Sequence, residues 1–155
     1  MTAEFGPMCT ALGRVWVAGV PVPQGSMKVF TGSSRPVMVH HKGAELKAWR
    51  TKVAFEVTRA AQSKGWELPL DEPVSIDVSF HLPRPTRARF DRPATKPDLD
   101  KLMRAIGDAL TVTGNVIKDD SRIVRWIGSK HYAGVSMEGV SISVFRLPAV
   151  SEDVC

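Results

Sequence analysis

The chain is poor in cysteine: among 155 residues there are two, Cys9 and Cys155, near opposite ends. A disulfide framework needs more than that, and this pair lacks metal-ligand spacing. A reducing cytoplasm is therefore the expected home. Long apolar runs are missing too, so no segment is expected to span a bilayer. The first ten residues have neither a basic start nor an apolar stretch, and no secretory signal is read there. Histidine is scarce. His40 and His41 are adjacent and point to opposite sides if extended, while His81 and His131 are isolated. No Cys/His set for zinc emerges, and all four histidines read as structural or surface residues. Repeats and low-complexity tracts are absent.

Acidic residues are outnumbered, 16 against 21 Lys and Arg, giving a net charge of +5 and a pI near 9.5. That balance suits an anionic partner without naming it. With 43% hydrophobic and 24% charged residues, the composition is that of a globular protein rather than a disordered one. The length fits one domain over 1–155, with a core from about 14 to 147 and frayed termini.

Arg14 to Val20 reads as a Val- and Trp-rich strand that Pro21-Val22-Pro23-Gln24-Gly25 ends. Two short extended pieces are expected at Met27–Thr31 and Pro36–His40, joined by a turn at Gly32-Ser33-Ser34. From Ala44 to Lys64, Leu46, Trp49, Val53, Val57 and Ala60 recur at three and four residues. This predicts a helix with one apolar stripe, stopped at Gly65. Val74 to Leu82 alternates apolar and polar residues as a half-buried strand does. Prolines at 83, 85, 93 and 97 exclude regular structure from Pro83 to Pro97. A second helix is predicted from about Asp98 to Val112, with Leu99, Leu102, Met103, Ile106, Ala109 and Leu110 on one face. A turn follows at Thr113-Gly114-Asn115. Arg122 to Tyr132 and Val140 to Leu147 read as two strands, expected as an antiparallel pair around residues 134–139. The fold class is α/β (α+β): a mixed sheet of four or five strands with two main helices packed on it.

Chemistry concentrates around the second helix. Asp98 and Asp100 stand at its start, where capping and dipole compensation explain acids equally well. Asp119-Asp120 follows a turn later, in a sequence that also suits a solvated loop. The chain from Val112 to Asp120 is long enough to run back beside the helix start. Four aspartates brought together repel, so such a cluster calls for a cation, and magnesium takes hard oxygen ligands of this kind. Arg84, Arg87, Arg89, Arg92, Lys96, Lys101 and Arg104 form the densest positive stretch and lead into the first acidic pair. Cations that hold phosphates around a metal that works on one of them suit a polyanion substrate. Phe90, among them, is placed to stack on a base or to pack the loop down.

The segment Lys96-Pro97-Asp98-Leu99-Asp100-Lys101-Leu102-Met103-Arg104-Ala105-Ile106-Gly107-Asp108-Ala109-Leu110, with Val116-Ile117-Lys118-Asp119-Asp120-Ser121, resembles the RusA family of Holliday junction resolvases, common in phages and prophages. The early Pro21-Val22-Pro23-Gln24-Gly25 is similar as well, and the likeness runs from about Arg14 to Leu147. The resemblance implies a homodimer that resolves four-way DNA junctions by paired nicks in recombination and repair, using Mg2+, with Mn2+ as a substitute. It implies catalytic, metal-binding aspartates at Asp98, Asp100 and Asp120. The family's catalytic lysine falls on Arg104, a departure, since Arg clamps a phosphate but does not readily give up a proton. The family's Asn after Asp-Leu-Asp is here Lys101. Lys28, Arg84, Arg87, Arg89, Arg92, Lys96 and Lys101 are the expected DNA contacts. The rival readings are a general branched-DNA or flap endonuclease, and a non-catalytic DNA-binding accessory protein.

Overall fold

The computed structural model describes residues 10–25, 27–30, 37–40 and 43–150, without the side chains of 27–30 and 37–40. Cys9, Cys155, His41 and the turn at residues 32–34 lie outside the described residues. In chain order come β1 (Thr10–Ala11), β2 (Val15–Ala18), β3 (Met27–Phe30), β4 (Val37–His40), α1 (Gly43–Ser63), β5 (Val74–Leu82), α2 (Leu99–Asp108), β6 (Ile123–Tyr132) and β7 (Gly139–Arg146). β3 and β4 form a separate two-stranded antiparallel ribbon. The other five strands make one mixed sheet, as the sequence predicts.

β5 is its spine. Val74, Ile76, Val78, Phe80 and Leu82 alternate along one face, and all five are buried. β5 pairs parallel with β6 and antiparallel with β7, and β1 and β2 both lie along the far side of β7. The expected antiparallel pairing of the last two strands is therefore corrected: β5 lies between them. Closeness in sequence suggested a hairpin, but burial decided otherwise. β5 is apolar enough to be covered on one face and bonded on both edges. β6, which carries Arg122 just before it and Arg125 and Lys130 within it, takes an edge.

Both helices cover the apolar face. Leu46, Trp49, Val53, Val57 and Ala61 of α1 join Leu102, Ala105 and Ile106 of α2 and the inward side chains of β5 and β7 in one core. α1 ends where expected. Gly65 has φ +78°, which only glycine adopts freely. Its N–H bonds to the Gln62 carbonyl at 2.9 Å and that of Trp66 to Ala61 at 3.0 Å, which is the paired Schellman closure. α2 runs antiparallel to β6 and in close contact. A Cβ at Gly128 would meet the Met103 sulfur at 2.5 Å, and one at Gly107 would meet the Trp126 ring at 3.5 Å. Beyond Asp108 the helix widens into a π turn, Ala109–Thr113. No helix among the described residues is long and apolar enough to cross a membrane.

Candidate active site

Asp98 occupies the N-cap position of α2. Its backbone is extended, with φ −70° and ψ 140°, and its carbonyl accepts the first helical bond, from Leu102 N–H at 3.1 Å. Its carboxylate makes no capping bond. It lies 3.7 Å from Lys101 Nζ with its side chain 47% exposed. Helix capping therefore does not account for the acid at this position. Asp100 follows in the first turn, exposed. The approach to the helix is pinned from the sheet: Lys130 Nζ donates to the carbonyls of Thr95 at 2.9 Å and Pro97 at 3.0 Å.

Arg104 is exposed one turn beyond Asp100. Its i+4 neighbour Asp108 pairs instead with Arg50 of α1, at 3.7 Å. Among the described residues no ion pair joins Arg104 to Asp100 or Asp108.

A cleft of 1110 Å³ opens beside this helix end, lined by Trp49, Lys52, Arg84, Lys96, Asp98 and Lys101 among others. The proline-rich segment that leads to it keeps several cations outward. Arg87 and Arg92 are exposed. The Arg84 guanidinium lies 5.1 Å from the Tyr132 ring centre, and that of Arg89 lies 4.9 Å from Phe90. Phe90 is itself 41% exposed, so this pair is presented rather than packed down. Lys28 sits on β3, whose side chains lie outside the described residues.

The second acidic pair is elsewhere. Residues Val116 and Ile117 are buried and are stitched to Leu70: Leu70 N–H bonds to Val116 O at 2.8 Å, and Lys118 N–H to Leu70 O at 3.0 Å. The chain after α2 therefore does not run back beside the helix start. It is held at the helix's far end and enters β6 there. Asp119 caps a short 3-10 turn, Asp120–Arg122, accepting from the Ser121 N–H at 2.9 Å and also from the Ser121 hydroxyl. These bonds hold its carboxyl below the usual carboxylate range. Asp120 begins the turn, exposed. Within one chain, then, Lys96, Asp98 and Lys101 line one cleft, with Asp100 and Arg104 exposed on the same helix, and Asp120 lies apart from them. Among the described residues no three His, Cys, Asp or Glu side chains stand close enough to hold a metal together.

Two features escaped the sequence. Asp71 accepts from Arg122 Nε at 2.8 Å and Lys118 Nζ at 3.2 Å, which hold its carboxyl below the usual range and brace the 120–122 turn. Partners 47 and 51 residues away leave no spacing to read. On the sheet face away from the helices, His81 and His131 stack at 5.3 Å, with Trp16 at 5.5 Å from His81. Burial, and then the charge of His131, push the His81 imidazole down. The two histidines that looked isolated in sequence are cross-strand partners.

The model of the family described as endodeoxyribonuclease RusA matches residues 19–144. A protein of Bacillus subtilis strain 168, named uncharacterized protein YqaN, is 32% identical over 130 residues, covering 76% of this chain and 85% of its own length.

Proposed function

We propose, from the premise that this chain belongs to the RusA endodeoxyribonuclease family, that it is a magnesium-dependent nuclease that resolves Holliday junctions by paired nicks. The observation that carries this is the Asp98 carboxylate: an N-cap acid that caps nothing, beside exposed Asp100, at the edge of a cation-lined cleft. The donor set fits a hard cation, since aspartate oxygens are what magnesium takes, with waters and substrate phosphate completing its shell. The family pattern assigns Asp98, Asp100 and Asp120 as the residues that would hold it, of which Asp98 and Asp100 stand at this helix end within one chain. When bound, such an ion supplies an activated water and neutralises charge on the scissile phosphate; manganese suits the same oxygens.

Arg104 takes the place of the family's lysine. Its guanidinium clamps a phosphate oxygen through two hydrogen bonds and stabilises charge as the phosphodiester is cut. Arg84, Arg87, Arg89, Arg92, Lys96, Lys101 and Lys28 track the backbone of the DNA strands. A homodimer suits a two-fold junction, because each site then meets one of two equivalent strands. The setting is recombination and repair in a bacterial cytoplasm.

The test is a panel of labelled substrates: a four-way junction, a replication fork, a flap and linear duplex, each with and without Mg2+. Metal-dependent paired nicks in the four-way junction, with the duplex uncut, are expected. Equal cutting of fork, flap and junction would replace this reading by a general branched-DNA nuclease. Binding without cutting would replace it by an accessory DNA-binding protein.

A further inference from the structure

We propose that the cleft beside Asp98 is a base-reading pocket: it takes one unstacked nucleobase next to the phosphate to be cut and reads its edge with Gln24 and Trp49. The proposal rests on the nuclease reading given above.

The first observation is two polar atoms with nothing to bond. Trp49 is 4% exposed, and its indole Nε1 is shielded from solvent with no hydrogen-bond partner among the described residues. The same holds for Oε1 of the Gln24 side chain. Both residues line the cleft. A buried polar group left unpaired forfeits its bonds to water and gains none in return. Two such groups at one cleft call for a ligand that supplies both partners. The indole N–H only donates, and the orphaned amide oxygen only accepts. The ligand must therefore offer an acceptor and a donor together. A phosphodiester offers acceptors alone, and a metal ion offers nothing to an N–H. A nucleobase carries both along its Watson–Crick edge, the edge by which an extruded base is read.

The second observation is place. The Gln24 N–H bonds to the Lys101 carbonyl at 2.9 Å, so segment 21–25 is tied to α2 three residues past Asp98. Lys101 Nζ lies 3.7 Å from the Asp98 carboxylate. The amide thus stands within a helical turn of an acid of the proposed metal site. A nucleotide with its base in the cleft keeps its phosphate near that acid. Lys52, Lys96 and Lys101, which also line the cleft, answer the charge of its backbone.

The third observation is form. The cleft holds 1110 Å³, more than a hydrated ion requires and at the top of the roughly 300–1,000 Å³ usual for organic ligands. Pro21 and Pro23 from one segment and Pro83, Pro85, Pro93 and Pro97 from another line it. Their fixed φ holds the walls in place before a base arrives, so little ordering accompanies binding. Trp49 belongs to the core, which fixes its ring. Taking a base out of the stack costs least where pairing is already interrupted, as at the crossover of a branched molecule. The pocket makes cutting depend on sequence in a substrate recognised by shape.

Four-way junctions that differ only in the nucleotides flanking the crossover test this, cut under single-turnover conditions with Mg2+. Wild type is expected to spread about tenfold or more between best and worst sequences, the scale of one two-bond base contact. Gln24→Leu keeps the size and removes the amide. It is expected to shrink the spread to about threefold or less, by slowing the best sequence. It should melt no lower than wild type, because an apolar group replaces an unpartnered polar one. A glutamine with a structural role alone would lose stability and leave the spread unchanged. Trp49→Phe removes the other contact and should flatten the spread too, with a lower melt because the smaller ring underfills the core. An even rate across sequences in wild type, or an unchanged spread in Gln24→Leu, overturns the pocket and leaves the nuclease reading intact. A second readout needs no cleavage. 2-Aminopurine, set in turn beside each flanking nucleotide, brightens when its neighbour leaves the stack. Without metal, wild type saturating the junction should raise this signal at one position, and Gln24→Leu saturating the same junction should not. A bright signal with no junction cut would overturn the nuclease reading and keep the pocket. A dark signal at every position in wild type would overturn the pocket.

Discussion

At the N-terminal end of α2, Asp98 makes no capping bond and pairs only loosely with Lys101, at 3.7 Å, while Asp100 is exposed in the first turn. The backbone there is held by Lys130, and Asp98 lines a cleft with Lys96 and Lys101. At the other end the acids divide. Asp119 is spent on Ser121, Asp71 on Arg122 and Lys118, and Asp120 is exposed at the start of the turn they brace. One end is the proposed site, its backbone held by a cation of the sheet; the other is a bracket that leaves one exposed acid, Asp120. The comparison teaches that adjacent acids in a sequence can differ in what they bond: Asp119 is taken up by Ser121, while Asp120 beside it is exposed.

The largest effects should come from the three acids of the proposed metal site. The Asp98→Asn, Asp100→Asn and Asp120→Asn variants are each expected to lose junction cleavage while binding the junction as well as wild type or better, since removing negative charge near phosphates cannot weaken their approach. Cleavage time courses and gel-shift titrations read the two properties separately. A variant that cuts at the wild-type rate would remove its residue from the site.

Arg104 comes next. Arg104→Ala is expected to slow single-turnover cleavage about a hundredfold, the scale of losing one preorganised charge stabiliser. Its melting temperature should barely move, because the side chain is exposed. Arg104→Lys restores most of the rate if charge suffices and little if the two-pronged guanidinium is required. Normal cutting by Arg104→Ala would leave the family's lysine role unfilled at this position.

Much of this was legible in sequence, and the limits have physical causes. The apolar period of Leu46, Trp49, Val53 and Val57 marks α1, and the alternation in Val74–Leu82 marks β5, because burial imposes those periods directly. The cationic loop before Asp98 and the helix that follows it were read from prolines and caps, which act locally. Strand order was not legible: β6 and β7 are neighbours in sequence, yet β5 separates them, a result of competition for the most buried position. Nor was the place of Asp120. Chain length permits a return to the helix start, but the burial of Val116 and Ile117 against Leu70 forbids it. A linker's reach is a bound, and packing chooses within it.

The bracket itself can be loosened by pH. Asp71 has its carboxyl held low by Arg122 and Lys118, so its contribution to stability is present above the unfolded carboxylate range and is lost as pH falls through its lower folded value. Asp71→Asn is therefore expected to melt slightly lower than wild type at pH 7. The gap should narrow below about pH 4, where the unfolded aspartate begins to protonate. Thermal melts across pH 3 to 8 check this; a gap that widens in acid would reverse the assigned sign.

The smallest effect is expected at Asp119, and it bears most directly on the division of labour at this end. Asp119 accepts from the Ser121 N–H and hydroxyl, a task that an amide oxygen also performs, since Asn caps short turns about as well as Asp. Asp119→Asn should thus keep the 120–122 turn and with it the position of Asp120, and cleavage should fall by no more than a few-fold. Asp119→Ala removes the acceptor and frees the turn, so it should cost more than Asp119→Asn, although the alanine carries no less charge than the asparagine. That ordering is the signature of a bracket. A metal ligand behaves differently: losing the charge is then the damage, and Asn and Ala should be equally inactive. Single-turnover cleavage of a labelled four-way junction by Asp119→Asn, Asp119→Ala and Asp120→Asn distinguishes the two. Equal loss in Asp119→Asn and Asp120→Asn would mean that both acids reach the reacting phosphate, and the assignment of Asp120 alone would fail.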